Sequence, residues 1–197
     1  MRKFMILGIL ILALVLAGCG KAPAQAALSA ADQAIEKIKP EAEKYVPEQF
    51  NDLKKTAADA KAKFDAGNYA EALAAVKDIP TKANDVLTAA KAKKDELTKQ
   101  FADLQSSMPA LIKGVTDKVG SLAKMKKLPA GLSASTLDDA KAQLADVNAA
   151  WTSASDAFKG GDLTGAVAKA GDVKTKVEAL AKSLEPAGPT TASAPAK

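Results

Sequence analysis

Histidine is absent from the 197 residues of this chain, and cysteine occurs once, at Cys19. Histidine is the side chain most often used as a general base near neutral pH and as a metal ligand. One cysteine allows neither an internal disulfide nor a cysteine-rich zinc site. The chain therefore lacks the residues for the histidine- and cysteine-based sites that many hydrolases and metalloenzymes use. We expect no enzymatic activity, no metal and no cofactor.

Aromatic residues are scarce as well. The chain has five Phe, two Tyr and one Trp against 44 alanines. Alanine is the strongest helix former but buries little apolar area per residue, so this composition favours helices around a thin core. No segment shows sustained alternation of apolar and polar residues between turn signals, which is the pattern of a half-buried strand. The sequence therefore predicts an all-α fold.

The first residues carry the features of an export signal. Arg2 and Lys3 precede an apolar stretch over 4–16, which is shorter than the roughly 20 residues that a membrane-spanning helix needs. The stretch ends in Leu16, Ala17, Gly18 and Cys19. This tetrapeptide resembles the lipobox of bacterial lipoproteins, in which an aliphatic residue and two small residues precede a cysteine. The alternative is an ordinary secretory signal with a cysteine at its boundary.

The resemblance implies a lipid anchor. The signal peptide would be cut after Gly18, and the Cys19 thiol would carry diacylglycerol, often with a further acyl chain on the new amino group. Two or three acyl chains hold a protein stably on a membrane. Gly20, where some lipoproteins have aspartate, implies sorting to the outer membrane, facing the periplasm. Loss of Arg2 and Lys3 with the signal peptide lowers the net charge from +5 to +3. We expect the lipid to attach the protein to a membrane, and we expect no nucleic-acid partner.

Apolar residues at steps of three and four predict amphipathic helices along the mature chain. The first stripe comprises Leu28, Ala31, Ile35, Ile38, Ala42 and Tyr45. Pro40 is expected to kink or shorten this helix, and Pro47 to open the second. Further breaks are predicted at 65–68, 105–109, 128–133 and 160–162. Ser107 would be the N-cap of the fourth helix, and the third would bend at Pro80.

The two halves of the helical region match each other at an offset of 94 residues. The identical pairs are Gln49/Gln143, Asp52/Asp146, Ala60/Ala154, Phe64/Phe158, Gly67/Gly161, Ala72/Ala166, Ala74/Ala168, Asp78/Asp172, Thr81/Thr175 and Lys82/Lys176. Shared helical spacing is the alternative to a duplication. The matches predict two similar three-helix units, 28–105 and 106–184, in an antiparallel bundle of about six helices. Residues 19–27 would form a short lipidated tether, and 185–197 a disordered tail.

A short turn motif adds a second resemblance. The residues "GNYAEA", from Gly67 to Ala72, resemble the helix-to-helix turn of tetratricopeptide hairpins, and "GDLTGA", from Gly161 to Ala166, keeps the glycine and the alanine. The offset of 94 differs from the tetratricopeptide period of about 34 residues. The chain better resembles small alanine-rich bacterial lipoproteins of unknown function that use the same hairpin. That resemblance implies a helical envelope protein and carries no catalytic residues.

The remaining candidates for chemistry favour helix structure over catalysis. Asp138 and Asp139 lie in an early turn of a predicted helix, where carboxylates interact favourably with the helix dipole. The serines have no histidine to activate them. We therefore expect a lipid-anchored, non-enzymatic helical scaffold or protein-interaction module whose partner is another envelope protein.

Trp151 supplies an alternative function. It is the one tryptophan, and it lies on the apolar stripe of the fifth predicted helix, where the first half has Ala57. A large ring in place of a methyl group either packs in the core or faces a ligand or partner. In the second case the bundle would bind a small apolar molecule, such as a lipid or a quinone, beside Trp151.

Three lysines, Lys124, Lys126 and Lys127, close the fourth predicted helix. If all six helices run up and down along one axis, this end returns to the membrane, where clustered cations would contact anionic headgroups. That orientation requires the chain to reverse direction at 105–109. The alternative is a solvated helix end, where lysines favour the helix dipole.

Overall fold

Six α-helices form the regular structure of residues 20–186, the part of the chain that the computed structural model describes. They are α1 (Lys21–Tyr45), α2 (Pro47–Asp65), α3 (Tyr69–Val76), α4 (Ile79–Ala123), α5 (Ala134–Lys159) and α6 (Leu163–Ser183). Residues 20–186 contain no strand. The all-α prediction is confirmed, with about the expected number of helices. The predicted signal peptide (1–18), Cys19 and the predicted tail from residue 187 onward lie outside the described residues.

The chain divides into two compact units, of which the first ends at Asp95 and the second begins at Glu96. Among the described residues, the first unit contains α1, α2, α3 and the start of α4. The second contains the rest of α4 together with α5 and α6. The division therefore falls inside the continuous helix α4, whereas the sequence predicts it between 105 and 106.

One hydrophobic cluster holds the first unit together. The predicted stripe of α1 is buried, and Ala31 and Ala42 are completely inaccessible to solvent. Phe50 and Leu53 of α2 pack into the same cluster, and Ile79 joins it from the start of α4. Val76 of α3 belongs to the cluster as well, so this unit is a three-helix bundle whose third helix is made of α3 and the start of α4. The sequence predicts both the stripe and the start of α2 at its first-turn proline.

The second unit has two hydrophobic clusters. Met108 and Val173 belong to the larger one, which joins α4, α5 and α6. Phe101 of α4 is the centre of the smaller one, among alanines of α5 and α6. Leu104 and Trp151 are half-buried and pack against both clusters. These shared neighbours make the two clusters one continuous core.

The turn between the second and third helices has the same geometry in both units. Gly67 has a φ of 81° and Gly161 a φ of 80°, a left-handed conformation that glycine adopts without steric cost. In both turns, the residue after the glycine donates its backbone N–H at 2.9 Å to the carbonyl oxygen five residues earlier. This hydrogen bond is the signature of a Schellman motif, which ends a helix. The breaks predicted at 65–68 and 160–162 are confirmed.

The first helix begins earlier than the sequence predicts. Residues 21–27, expected to form most of the tether, are the first turns of α1. Pro23 is compatible with this position because the first four N–H groups of a helix have no acceptor within it. Ala24 extends the buried stripe by one turn and is fully buried. Pro40 lies inside α1 and does not shorten it.

The predicted break at 105–109 is wrong, since α4 continues through Pro109 to Ala123. Ser107 is not an N-cap, because its hydroxyl donates at 2.9 Å to the Asp103 carbonyl within the helix. The neighbouring Met108 is fully buried. Packing of this side chain and of the buried residues after it outweighs the cost of an interior proline, which is about 3 kcal/mol. The third predicted helix instead divides just before Ile79, into α3 and α4.

Candidate interaction face

Most equivalent core positions of the two units hold different apolar residues. At the offset of 94, the differing pairs are Leu53/Val147, Ala57/Trp151, Val76/Ala170, Ile79/Val173, Ala83/Val177, Val86/Leu180 and Ala90/Leu184. The pairs Ala60/Ala154 and Ala72/Ala166 keep the same buried residue. The core of each unit thus keeps the apolar pattern while the side-chain volumes change, as packed cores tolerate.

Five exposed polar residues recur unchanged between the units. The set in the first unit is Gln49, Asp52, Asp78, Thr81 and Lys82, and the set in the second is Gln143, Asp146, Asp172, Thr175 and Lys176. All ten residues are exposed. Other exposed pairs on the same helices differ, such as Lys55/Ala149 and Glu71/Gly165. We call each set of five the repeated face of its unit.

In the first unit, three residues of the repeated face (Gln49, Asp52 and Lys82) line a groove of about 310 Å³ between α2 and α4. Leu53 and Val86, whose side chains are otherwise buried, give the groove an apolar lining. The polar lining consists of Gln49, Asp52, Thr56, Lys82 and Asp85. Among residues 20–186, the charged groups of this lining form no ion pair with one another or with other side chains. Their charges are therefore directed to solvent.

In the second unit, a groove of about 200 Å³ lies between α5 and α6. Asp172 and Lys176 of the repeated face line it, and Val173 adds apolar surface. Lys169 and Ser153 join its two sides through a hydrogen bond of 3.3 Å between Nζ and Oγ. The lysine of the repeated face thus lines a groove between the same two helices in both units.

Helix-end electrostatics does not explain why the repeated face keeps its residues. Asp78 directly precedes α4, where a carboxylate interacts favourably with the helix dipole. Its counterpart Asp172 lies in the interior of α6, nine residues after Leu163, where that interaction has faded. The aspartate is therefore associated with the position on the face, and not with a helix terminus.

Trp151 lies against the core of the second unit. Its indole stacks on the ring of Phe101, with 5.9 Å between centroids and 6° between planes. Phe101 is 1% exposed and also stacks on Phe158 at 4.2 Å. In the first unit, Phe64 instead meets Tyr69 edge-on at 5.1 Å. Trp151 is half-buried, so part of its ring remains accessible to solvent.

The three lysines predicted to contact headgroups lie after the end of α4. Lys124, Lys126 and Lys127 are exposed, and Met125 among them is 50% exposed. The reversal at 105–109 that would return them to the membrane is absent, because α4 continues through it. That part of the prediction is wrong. Headgroup contact stays a prediction that has lost its topological support.

The predicted lipidation and cleavage positions, Cys19 and Gly18, lie outside the described residues. Within residues 20–186, none of the helices combines the length and the apolar character needed to cross a bilayer. In the same range, no three or more Asp, Glu, Cys or His side chains are grouped so that they could hold a metal ion.

Identity between the two halves does not by itself predict the repeated face. The pairs at the offset of 94 include buried alanines as well as exposed polar residues, and only the structure separates the two kinds. The sequence does contain one indication of this face. Asp52 and Lys82 lie off the apolar stripes, so core packing does not explain why these residues are identical in the other half. The sequence also does not predict that Phe101 is the centre of an aromatic stack, because its partners are about 50 residues away along the chain.

No protein-family model, curated protein or solved structure matches this chain.

Proposed function

We propose that this chain is a lipid-anchored protein of the bacterial cell envelope whose two helical units act as non-enzymatic interaction modules. The repeated face is the observation that supports this most directly. Most exposed substitutions change the free energy of unfolding by less than about 0.5 kcal/mol, so folding alone does not favour the same five polar residues twice. Recognition of another surface does.

The chemistry of the groove fits recognition better than catalysis. Two helices with apolar residues between them and charged residues along the edges form a surface on which another helix packs. The Thr56 hydroxyl donates at 2.9 Å to the backbone carbonyl of Asp52, so no carboxylate activates it as a nucleophile. The groove is open, with its charges in water, whereas catalytic groups are usually desolvated.

The lipobox-like tetrapeptide ending at Cys19 supports the anchor, and the residue that follows supports an outer-membrane location facing the periplasm. Cys19→Ser removes the thiol that would carry the lipid. We expect the variant to accumulate as an uncleaved precursor, seen as a higher mass by mass spectrometry. A variant that is still cut after Gly18 and resists a salt wash of the membranes would contradict the anchor.

The interaction proposal is tested by removing the charges of the repeated face. We expect alanine at Asp52, Lys82, Asp146 and Lys176 to abolish specific crosslinks formed in the native envelope, while circular dichroism of the variant is unchanged. A matched control removes four exposed charges elsewhere, at Asp32, Lys55, Lys99 and Asp103. Crosslinks that survive in the first variant, or disappear equally in both, would show that the repeated face is not the interaction surface.

A second candidate function is the binding of a small apolar ligand beside Trp151. The partial exposure of this ring is the observation that favours it. A lipid or quinone that binds there would change the tryptophan emission in a saturable way. Emission that is blue, resistant to quenching and indifferent to added ligand would mean that the ring only fills the core.

A further inference from the structure

The two grooves carry opposite net charge. The lining of the first contains two aspartates and one lysine, and the lining of the second contains two lysines and one aspartate. Two positions at which the units differ have a large part in this contrast. Asp85 in the first groove has Ala179 as its counterpart, and Lys169 in the second has Ala75. The first groove therefore has an added anion and the second an added cation, and the lysine pair Lys82/Lys176 lines both grooves.

We propose that the groove of the first unit binds the groove of the second unit on another copy of this chain. This rests on the proposed interaction function and names its partner. Asp85 of one copy then lies opposite Lys169 of the next, and the apolar linings of the two grooves are covered together. Because the two surfaces differ, the contact is head-to-tail and can be repeated from one copy to the next.

Such a contact is weak between dilute molecules. Exposed ion pairs contribute little individually, and the apolar lining of each groove is small. A lipid anchor would confine the copies to one membrane surface and raise their effective concentration. The fraction of associated copies then rises although the contact itself stays the same. We therefore expect the contact to form in the envelope, and the test uses the full chain there.

A photo-crosslinking amino acid in place of Thr56 reports what occupies the first groove. The same amino acid in place of Lys55, the preceding and exposed residue of α2, is the matched control. Two differently tagged forms of the chain are expressed together, and the products are mapped by mass spectrometry. We expect the Thr56 reporter to link to residues 150–176 of the other tagged copy, and the Lys55 reporter to give no such product. A crosslink to a different protein would overturn self-association and leave the interaction function standing. No product above the control would overturn both.

Exchanging the two distinguishing charges tests the pairing itself. Asp85→Lys alone, or Lys169→Asp alone, places like charges opposite each other and should lower the yield of linked copies by about tenfold or more. The chain that carries both substitutions has the charges exchanged and should recover the yield of the parent. Asp85 and Lys169 are both exposed, so the substitutions should not disturb the core. Circular dichroism checks that the variants fold. A double variant as poor as the single ones, or single variants equal to the parent, would overturn the proposal.

Discussion

The two units of this protein have the same helical plan and differently filled cores. Five buried residues of α1, Ala24, Ala31, Ile38, Ala42 and Tyr45, have the same spacing of 7, 7, 4 and 3 as Phe101, Met108, Val115, Val119 and Leu122 of α4. Leu28 and Ile35 are buried as well in α1. Where the first unit has Ala24 and Ala57, the second has the stacked rings of Phe101 and Trp151. The first connection also differs, being Val46 alone in one unit and residues 124–133 in the other.

This comparison separates two kinds of constraint. A core position tolerates alanine, valine or an aromatic ring as long as the space around it is filled. The exposed positions of the repeated face gain nothing from packing, yet they hold the same residues in both units. The unchanged buried alanines and turn glycines have a structural reason, whereas the unchanged residues of the repeated face have none in packing.

The largest difference between the units should appear on removing the ring at the centre of the second core. Phe101→Ala deletes a side chain that is 1% exposed and stacks on two other rings, so we expect a loss of about 3–5 kcal/mol in the free energy of unfolding. Trp151 fluorescence during urea unfolding measures this unit. Phe64→Ala in the first unit removes a half-buried ring and should cost less. An equal loss from both substitutions would contradict the difference between the cores.

The shared turn should respond equally in both units. Alanine at Gly67 or at Gly161 forces a residue with a Cβ into the left-handed region, and we expect each substitution to cost about 1–2 kcal/mol. Tyrosine signals follow the first unit and Trp151 follows the second in chemical denaturation. Costs that differ by more than the experimental error would indicate that the two turns are not equivalent.

Two glycines of α6 should give opposite results. At Gly171 nothing lies within 4 Å of an added Cβ, so Gly171→Ala should stabilise the second unit by about 1 kcal/mol through helix propensity. At Gly165 an added Cβ would collide with the carboxylate of Asp162, which caps α6 by accepting the Gly165 N–H at 3.0 Å. Gly165→Ala should gain nothing or lose stability, because a lost cap costs about 0.5–2 kcal/mol. Thermal unfolding of the two variants decides this, and equal stabilisation would contradict the steric argument.

The smallest expected effect concerns an ion pair of the first unit. Lys94 donates at 3.2 Å to Glu41, and this hydrogen bond and the charge of Glu41 raise the pKa of Lys94 above its ordinary value of 10.5. A raised pKa means that the pair stabilises the fold below pH 10.5 and that this contribution is lost as the pH rises through the folded-state pKa. NMR titration of the Lys94 side chain should show the raised value, and Glu41→Gln should lower it. An unchanged titration in the variant would mean that Glu41 is not the cause.

The sequence predicts the parts of the fold that depend on local pattern. The stripe from Leu28 to Tyr45 and the glycine turns follow from helical spacing and from backbone geometry. The uninterrupted course of α4 does not, because Pro109 and its neighbours carry break signals that only the burial of Met108 overrides. The capping role of Asp162, which accounts for Gly165, is equally a matter of three-dimensional contact. The grooves could be found only by combining sequence and structure. The sequence shows which residues are identical in the two units, and the structure shows which of them are exposed.

The central claim, that the repeated face is covered by a partner in the cell, can be measured by cysteine accessibility. Single cysteines are placed on the face, at Asp52 and Asp146, and beside it, at the exposed positions Asn51 and Ala145. Maleimide labelling is then compared between the purified chain and the intact envelope. We predict that the two face positions react much more slowly in the envelope, and that the two neighbouring positions react at the same rate in both. Equal rates at all four positions would contradict the account.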